Sequence, residues 1–161
     1  MHLLKIHGSC NFIVDEKRIK VMEKVTINRK GRFESTIIRP PPHPDAIPSI
    51  LRQCKFPPAM ALYTPEKEVL SCSTEIKKLQ QEYDRVAREA EAVVVVGADL
   101  HTSDEHVWGP LIGTNATVGF LGNSSGFKAF ARHREGKRTV WLGERFESSL
   151  EELFHFIDSM R

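Results

Sequence analysis

The stretch that decides the fold of this chain is Val93-Val94-Val95-Val96-Gly97-Ala98-Asp99-Leu100-His101-Thr102-Ser103-Asp104. A continuous run of β-branched residues that ends at a glycine is typical of a buried parallel strand followed by a loop at the carboxyl edge of an open sheet. Ligands of doubly wound α/β folds bind at that edge. The stretch therefore predicts a nucleotide-binding α/β domain with a polar, ligand-facing loop after residue 96.

The second part of the chain, residues 73–161, alternates regularly between helical and strand patterns. A helix is predicted over residues 75–92, with Ser73 or Thr74 as its N-cap. The elements predicted after it are strands over residues 93–96, 117–121 and 138–142, a short helix from Ser103 or Asp104, and a helical turn over residues 126–134. Because consecutive strands joined by helices run parallel with right-handed crossovers, this order predicts a parallel βαβαβα sheet.

A last helix is predicted from a capping-box pattern, in which Glu151 follows Ser148 by three residues. The helix is expected to be amphipathic. The side chains predicted to face inward are Leu150, Leu153, Phe154 and Ile157.

The first part of the chain is irregular, and residues 13–72 are predicted to form a small β-containing module. Eight of the nine prolines lie at or before Pro65. Two β-rich runs, residues 19–27 and 33–38, are separated by a segment with Asn and Gly, which favours a β-hairpin. The next segment, residues 39–44, must be extended, because each proline fixes its own φ and restricts the backbone conformation of the residue before it.

Composition excludes several classes of protein. The chain has 161 residues, enough for one domain with its own core, and a net charge of +2. Its basic residues are scattered among acids, which argues against a nucleic-acid partner. Three widely spaced cysteines form no C-x-x-C pair, so a zinc knuckle is not expected. Reduced cysteines and the lack of a long apolar run predict a cytoplasmic protein that does not span a membrane.

Candidate ligand-binding residues follow each predicted strand. Gly97 lets a ligand approach the backbone, and Asp99 can accept a hydrogen bond from a ribose hydroxyl. The alternative for this loop is a plain helix N-terminus in which Ser103 and Asp104 only cap. Residues 122–126, Gly-Asn-Ser-Ser-Gly, can wrap an adenosine ribose or form an ordinary βα turn. The candidates along this edge are Gly97, Ala98, Asp99, Leu100, Asn123, Ser124 and Glu144, of which Glu144 can meet an adenine.

A second candidate site follows the apolar run at residues 3–6, where His7, Gly8 and Ser9 stand. An imidazole at the carboxyl end of a strand can take a proton from a hydroxyl, and Gly8 permits a sharp turn. The alternative is a histidine that only ends a strand before a tight turn. Residues 104–106, Asp-Glu-His, match no metal-ligand spacing and are interpreted as a solvated helix start, so no metal site is predicted.

These segments, in this order, resemble the sirtuin-like NAD-binding superfamily, especially its divergent bacterial branch. Residues 4–11, Leu-Lys-Ile-His-Gly-Ser-Cys-Asn, are similar to that branch's Leu-x-Leu-His-Gly-Ser-x-Asn motif. Arg39-Pro40-Pro41 is similar to its proline segment, and residues 95–104 to its Gly-Tyr-Ser-Leu-Pro-x-x-Asp loop. Residues 143–153 look like the family's closing Gly-x-Ala-x-x-x-Leu stretch, so the resemblance covers most of the chain.

The resemblance implies a Rossmann-like, three-layer αβα fold with a small inserted module, and NAD as the cofactor. Family members break the bond between nicotinamide and ribose. The freed sugar carbon is captured by an acyl-lysine in protein deacylases, or by water in NAD hydrolases, which often act in phage defence. His7 would match the catalytic base, and Gly97, Asp99 and Asn123 the ribose and adenosine contacts. The full cofactor-binding set implied is Gly8, Ser9, Gly97, Ala98, Asp99, Leu100, Asn123, Ser124 and Glu144.

The chain departs from the family pattern in three ways. Asp99 replaces the usual serine, which places a charge near the path of a phosphate. Only six residues precede His7, whereas the family's glycine-rich pyrophosphate loop lies before its His-Gly motif. The inserted module lacks the four cysteines of zinc-bearing sirtuins, which argues against a standard protein deacylase.

Three hypotheses follow from this comparison. In the first, the chain is the C-terminal portion of an NAD-consuming domain, and another chain supplies the missing half. In the second, it is a non-catalytic nucleotide-binding or assembly module, and in the third an unrelated α/β nucleotide or sugar-phosphate binder. Because a sheet without its first βαβ unit exposes a strand edge, we expect a homo-oligomer or a partner chain across that edge.

Overall fold

The computed structural model describes Leu4 and residues 13–23, 32–38, 48–49, 52, 55–56, 59, 72–101 and 104–160. The chain divides into two compact units, Met1–Gln81 and Glu82–Arg161. A long helix, α1 (Ser73–Glu89), contains the boundary between the two units. In the described ranges, no helix has both the length and the apolar character needed to cross a membrane.

Among its described residues, the first unit contains two short antiparallel strand pairs. Its strands are β1 (Ile13–Val14), β2 (Lys20–Glu23), β3 (Arg32–Glu34) and β4 (Ile37–Ile38). β1 pairs with β4, and β2 pairs with β3. The predicted antiparallel pairing of the two β-rich runs is confirmed for β2 and β3, while residues 24–31 lie outside the described residues. The pairing of β1 with β4 was not predicted, because strands of two residues are too short to show a period.

Cys72 belongs to the buried cluster of the first unit. The buried members of this cluster are Val14, Ala59, Cys72 and Ile76. Cys72 is a free thiol, and burial raises its pKa to about 11. The thiol is therefore protonated at neutral pH and behaves as a small apolar side chain. Cys10 and Cys54 lie outside the described residues.

The second unit is built on a parallel sheet, of which the structure describes three strands. Its elements are β5 (Ala92–Val96), α2 (Glu105–Gly113), β6 (Thr117–Leu121), α3 (Ser124–His133), β7 (Thr139–Gly143) and α4 (Leu150–Asp158). The strand order is β5-β6-β7, and both neighbouring pairs are parallel. The predicted parallel α/β arrangement is confirmed.

Alternate strand residues belong to two different hydrophobic clusters, as the period of two in a β-strand requires. The first cluster joins Val95, Val118 and Phe120 of the sheet to side chains of α2 and α3, among them Trp108 and Phe130. The second cluster is formed by Leu121 and Leu142 of the sheet with Phe156 of α4, and Val94 and Val140 pack against it. Both faces of the sheet are therefore covered by apolar side chains.

Gly119 in the middle strand allows α4 to approach the sheet closely. A Cβ at this position would lie 2.8 Å from Cδ1 of Leu142 and 3.1 Å from Cε1 of Phe156. Both distances are too short for ordinary carbon contacts, so the ring of Phe156 occupies space that a side chain at residue 119 would take. This contact fixes which face of α4 lies against the sheet.

The predicted orientation of α4 is wrong for most of its apolar side chains. Leu150, Phe154 and Ile157 are 37%, 61% and 39% exposed, whereas Phe156 is buried and Leu153 packs beside it. The helix is apolar over more of its circumference than one packing face needs, so the spacing alone did not select the buried face.

The predicted capping box of α4 is also wrong. The N-cap is Ser149, one residue later than predicted, and its side chain makes no capping hydrogen bond. The hydroxyl of Ser148 instead donates to the main-chain oxygen of Arg145 at 3.3 Å.

Arg134 is a buried cation that stabilises the end of α2. Its Nη2 donates to the main-chain oxygen of Ala116 at 2.7 Å, and its Nη1 donates to those of Leu111 and Thr114. Burial lowers the pKa of the guanidinium from its usual value. Because the C-terminal carbonyls of a helix lack intrahelical donors, a cation at this end satisfies them and opposes the negative end of the helix dipole.

Candidate functional site

The loops after β5, β6 and β7 begin at the same edge of the sheet. Val96 is in register with Leu121, and Leu121 with Gly143. Just beyond the strands, the N–H of Gly97 donates to the oxygen of Leu121, and the N–H of Gly122 to that of Gly143, both at 2.9 Å. The carboxyl ends of the strands therefore place the predicted candidate loops side by side.

Gly97 takes a backbone conformation that favours glycine, with φ of +63°. No atom of the described residues lies within 4 Å of the position that a Cβ would occupy. The turn itself therefore favours glycine, and the described residues leave the space above it open.

Ala98 and Leu100 flank Asp99 and anchor this loop. Both side chains pack against the cluster that holds Val95 and Trp108. The two side chains are partly buried there and hold the loop against the sheet. Asp99, between them, is exposed.

Asp99 and Asn123 form a hydrogen-bonded pair between two of the loops. Nδ2 of Asn123 donates to Oδ1 of Asp99 at 2.7 Å. Oδ1 of Asn123 accepts from the N–H of Gly126 at 2.6 Å and from the hydroxyl of Ser125 at 2.7 Å. Asn123 is the N-cap of α3, so its amide is held in one orientation and positions the carboxylate of Asp99.

Gly126 allows that carboxylate to lie over the first turn of α3. A Cβ at residue 126 would lie 2.7 Å from Oδ1 of Asp99 and 3.1 Å from Oδ1 of Asn123. The positive end of the helix dipole is located at this turn. Sequence reasoning missed the roles of Ser125 and Gly126, although the Gly-Asn-Ser-Ser-Gly segment that contains them was identified as one of the candidate loops.

Ser124 and Glu144 lie at the same edge but outside this pair. Ser124 is the exposed first residue of α3, and Glu144 is exposed directly after β7. Within the described part of the chain, neither side chain makes a hydrogen bond to Asp99 or Asn123. Glu144 therefore lines the edge without joining the network.

Gly143 ends β7 in a position that only glycine can occupy. Its φ is +139°, and a Cβ there would lie 1.9 Å from Oγ of the buried Ser149. Ser149 thus packs directly against the strand end. Sequence reasoning did not identify this contact, because it joins residues from a strand end and a helix start.

Trp141 places an indole beside the second loop. Its Nε1 donates to the main-chain oxygen of Gly122 at 2.9 Å, and its ring centroid lies 6.5 Å from that of Phe127. The side chain is 44% exposed. It is an aromatic surface, adjacent to Asn123, that the sequence interpretation did not single out.

Asp104 occupies the N-cap position of α2, but its side chain makes no capping bond to the helix. The main-chain oxygen of Asp104 accepts from the N–H groups of Val107 and Trp108 at 2.8 and 2.9 Å. The predicted start of this helix is confirmed, whereas the predicted capping role of the Asp104 side chain is wrong. Thr102 and Ser103 lie outside the described residues.

The predicted histidine motif, formed by His7, Gly8 and Ser9, lies outside the described residues. The part of the chain that the structure describes contains no group of three or more side chains suited to bind a metal ion.

An apolar groove of about 460 Å³ runs along β5. Its floor includes strand residues 92–96, and its walls come from α1 and α2. The hydroxyl of Tyr83 in one wall donates to the main-chain oxygen of Val107 at 3.0 Å, and burial raises its pKa to about 12. Of the strands in the described residues, β5 pairs only with β6, so its other edge borders this groove.

Comparison with protein-family models, with curated proteins and with solved structures finds no match to this chain. The site therefore has to be interpreted from its own residues.

Proposed function

We propose that this chain is a sirtuin-like NAD-binding domain that holds the adenosine part of NAD or ADP-ribose at the carboxyl edge of its parallel sheet. The proposed architecture is Rossmann-like, with αβα layers. The observation that carries the proposal is the pair of Asp99 and Asn123, fixed on the N-cap of α3 beside the open turn at Gly97. An edge of this kind is where open α/β sheets bind nucleotides.

The pair has the chemistry that a ribose requires. An ionised carboxylate has two acceptor oxygens, and Asn123 donates to only one of them, Oδ1 of Asp99. None of the described residues donates to the second oxygen, Oδ2, which would accept from the hydroxyls of a sugar. Since Asn123 is itself held by Gly126 and Ser125, the carboxylate needs little reorganisation to bind. Glu144 or the main chain around it would meet the adenine.

The reaction proposed for an active form is hydrolysis of NAD. His7 would take a proton from a hydroxyl of the nicotinamide ribose, nicotinamide would leave with the electrons of the glycosidic bond, and water would add to the sugar carbon. The products would be nicotinamide and ADP-ribose. Transfer to an acyl-lysine in place of water, as in protein deacylases, is the less favoured alternative because the chain lacks the four cysteines of zinc-bearing sirtuins.

A second candidate function is assembly with another chain, without catalysis. Two features favour it: exposed apolar side chains on and before α4, and the groove along the edge of β5 that pairs with no other described strand. The exposed side chains concerned are Phe146, Leu150, Phe154 and Ile157. Large apolar side chains at the surface are often part of an interface.

Calorimetric titration with NAD and with ADP-ribose tests the proposed function. We expect binding in the micromolar range, weakened at least tenfold by Asp99→Ala and unchanged by Glu135→Ala. Glu135 is a matched control, because it is an exposed acid in the connection that leads into the opposite end of β7. Absence of binding to both ligands would refute the proposal.

Release of nicotinamide, measured in parallel, distinguishes an enzyme from a binding module. Loss of nicotinamide release in His7→Ala, with ADP-ribose binding retained, is the result expected of an NAD hydrolase. Binding without turnover, together with a dimer in light scattering, would favour the assembly function.

A further inference from the structure

The helix α4 carries an apolar stripe on the side that does not pack against the sheet. Leu150, Phe154 and Ile157 form this α4 stripe, and their spacing of four and three residues places them on one side of the helix. All three side chains are exposed, whereas Leu153 and Phe156 pack against the sheet from another side of α4. The stripe is about 10 Å long, or two helical turns. It is therefore a row of neighbouring apolar side chains on the surface of the second unit.

Acidic side chains lie next to the α4 stripe. Residues 146–160 contain four acids and neither lysine nor arginine, whereas the whole chain has a net charge of +2. These acids, all exposed, are Glu147, Glu151, Glu152 and Asp158. Glu151 and Asp158 are seven residues apart in the helix, which places both along the same side of the stripe. Among the described residues, no lysine or arginine forms an ion pair with Glu147, Glu151 or Glu152, so this part of the surface is negatively charged.

The combination of apolar and acidic side chains restricts what can cover the α4 stripe. A stripe of this spacing is buried well by a second helix, whose own apolar side chains interdigitate with it. Acids beside such a seam favour a partner with basic residues at the facing positions, as at the flanking positions of coiled coils. The helix α4 of a second copy would bring four more acids into the interface, and like-charge repulsion disfavours that arrangement. An anionic lipid surface is disfavoured for the same reason.

We infer that the outward side of α4 is a docking surface for a basic amphipathic helix of another protein. Leu150, Phe154 and Ile157 contact the apolar side of that helix, and Glu151 and Asp158 pair with its lysines or arginines. This inference rests on the assembly function considered above, to which it adds the class of partner, and it does not depend on NAD binding. Because the stripe covers only two turns, the interface is small and the binding is weak and reversible.

Titration of the full chain with two synthetic helical peptides tests this inference. Both peptides have the same row of leucines, and the residues beside that row are all lysine in one peptide and all glutamate in the other. In fluorescence anisotropy, the lysine peptide should bind at least about tenfold more tightly at low salt, and the difference should shrink at high salt. Phe154→Ala should weaken binding of the lysine peptide about tenfold. Val21→Ala is the matched control and should leave binding unchanged, because Val21 is 65% exposed in the first unit.

A charge-reversal variant tests the contribution of the acids. Glu151→Lys combined with Asp158→Lys should reverse the preference, so that the glutamate peptide binds more tightly than the lysine peptide. If this variant folds poorly by circular dichroism, Glu151→Gln combined with Asp158→Asn replaces it. The preference for the lysine peptide should then fall to within about threefold.

Several results would overturn the inference. They are equal binding of the two peptides by the wild-type chain, and no binding of the lysine peptide at about 1 mM. A dimer in light scattering that Phe154→Ala dissociates would also overturn it, because a second copy would then be the partner, although the assembly function would remain. Absence of both the peptide complex and the dimer overturns the assembly function as well. Binding of ADP-ribose, measured on the same samples, tests the nucleotide site separately.

Discussion

Replacement of Arg134 by methionine is expected to be among the most destabilising substitutions in the second unit. Arg134 is 1% exposed, and its guanidinium donates to the main-chain oxygens of Leu111, Thr114 and Ala116. It also donates to the hydroxyl of Thr139 at 3.1 Å. Methionine keeps the apolar stem but removes all of these donors.

The magnitude follows from the groups left behind. Each buried acceptor that loses its donor costs about 1–3 kcal/mol. Removal of the desolvated charge offsets part of this, so we expect a net loss of about 3–5 kcal/mol in the free energy of unfolding. In a chain of this size, such a loss lowers Tm by about 8–15 °C.

Urea unfolding followed by tryptophan fluorescence measures this loss. Trp108 is a suitable probe, because its ring centroid lies 5.6 Å from that of Phe130, and the guanidinium of Arg134 stacks over Phe130 at 5.8 Å. Arg132→Met is the matched control, since Arg132 is exposed in the last turn of α3, two residues before Arg134. Arg134→Lys should lose about half as much, because an ammonium keeps the charge but not the planar array of donors. A loss in Arg134→Met no larger than that in Arg132→Met would show that the buried hydrogen bonds of Arg134 do not contribute the expected stability.

Three further substitutions or conditions test other parts of the structure. Gly143→Ala should cost about 2–4 kcal/mol in urea unfolding, because its φ is unfavourable and its Cβ would overlap Oγ of Ser149. Gly126→Ala should change stability by less than about 1 kcal/mol, since alanine favours a helix, yet weaken ADP-ribose binding about tenfold by displacing the carboxylate of Asp99. The free energy of unfolding should fall between pH 9 and 11, because the Cys72 thiol loses its proton near pH 9 when unfolded but near pH 11 when folded.

Each of these has a control. Gly136 has φ of +80° with no described atom near its Cβ position, so Gly136→Ala carries the backbone strain alone and should cost less than Gly143→Ala. If Gly126→Ala lowers stability and binding together, its effect is on folding and not on the site. The variant Cys72→Ala should show a smaller loss of stability over the same pH range. A loss equal to that of the wild-type chain would contradict the assignment of this pH dependence to the Cys72 thiol.

The parallel sheet could be predicted because its strands are buried on both faces. Residues 92–96 and 117–121 are almost wholly apolar, and each is followed at once by glycine and polar residues. Such segments have few alternatives to a buried parallel strand, and short helical connections then fix their order. The sequence also placed Asp99 and Asn123 at one edge of the sheet, because both residues follow neighbouring strands. Their hydrogen bond itself is seen only in the structure.

The orientation of α4 and the capping contacts could not be predicted, because they depend on packing between distant residues. The ring of Phe156 lies against the sheet because Gly119 leaves space for it. The spacing of apolar residues within α4 contains no information about that space. Ser149 likewise packs against Gly143, which moves the helix start by one residue from the capping-box position. Arg134 was not singled out, because a basic residue at the end of a helix is usually solvated and its acceptors lie 18–23 residues earlier.

The most direct test of the central claim is to map ADP-ribose binding on the isotope-labelled chain by amide chemical shifts. We expect the largest changes at Gly97, Asn123 and Gly126, with smaller ones at Glu144. Residues 134–138, at the opposite end of the sheet, should be unaffected. Changes confined to residues 134–138, or no change at a millimolar concentration of ADP-ribose, would contradict a nucleotide site at the carboxyl edge.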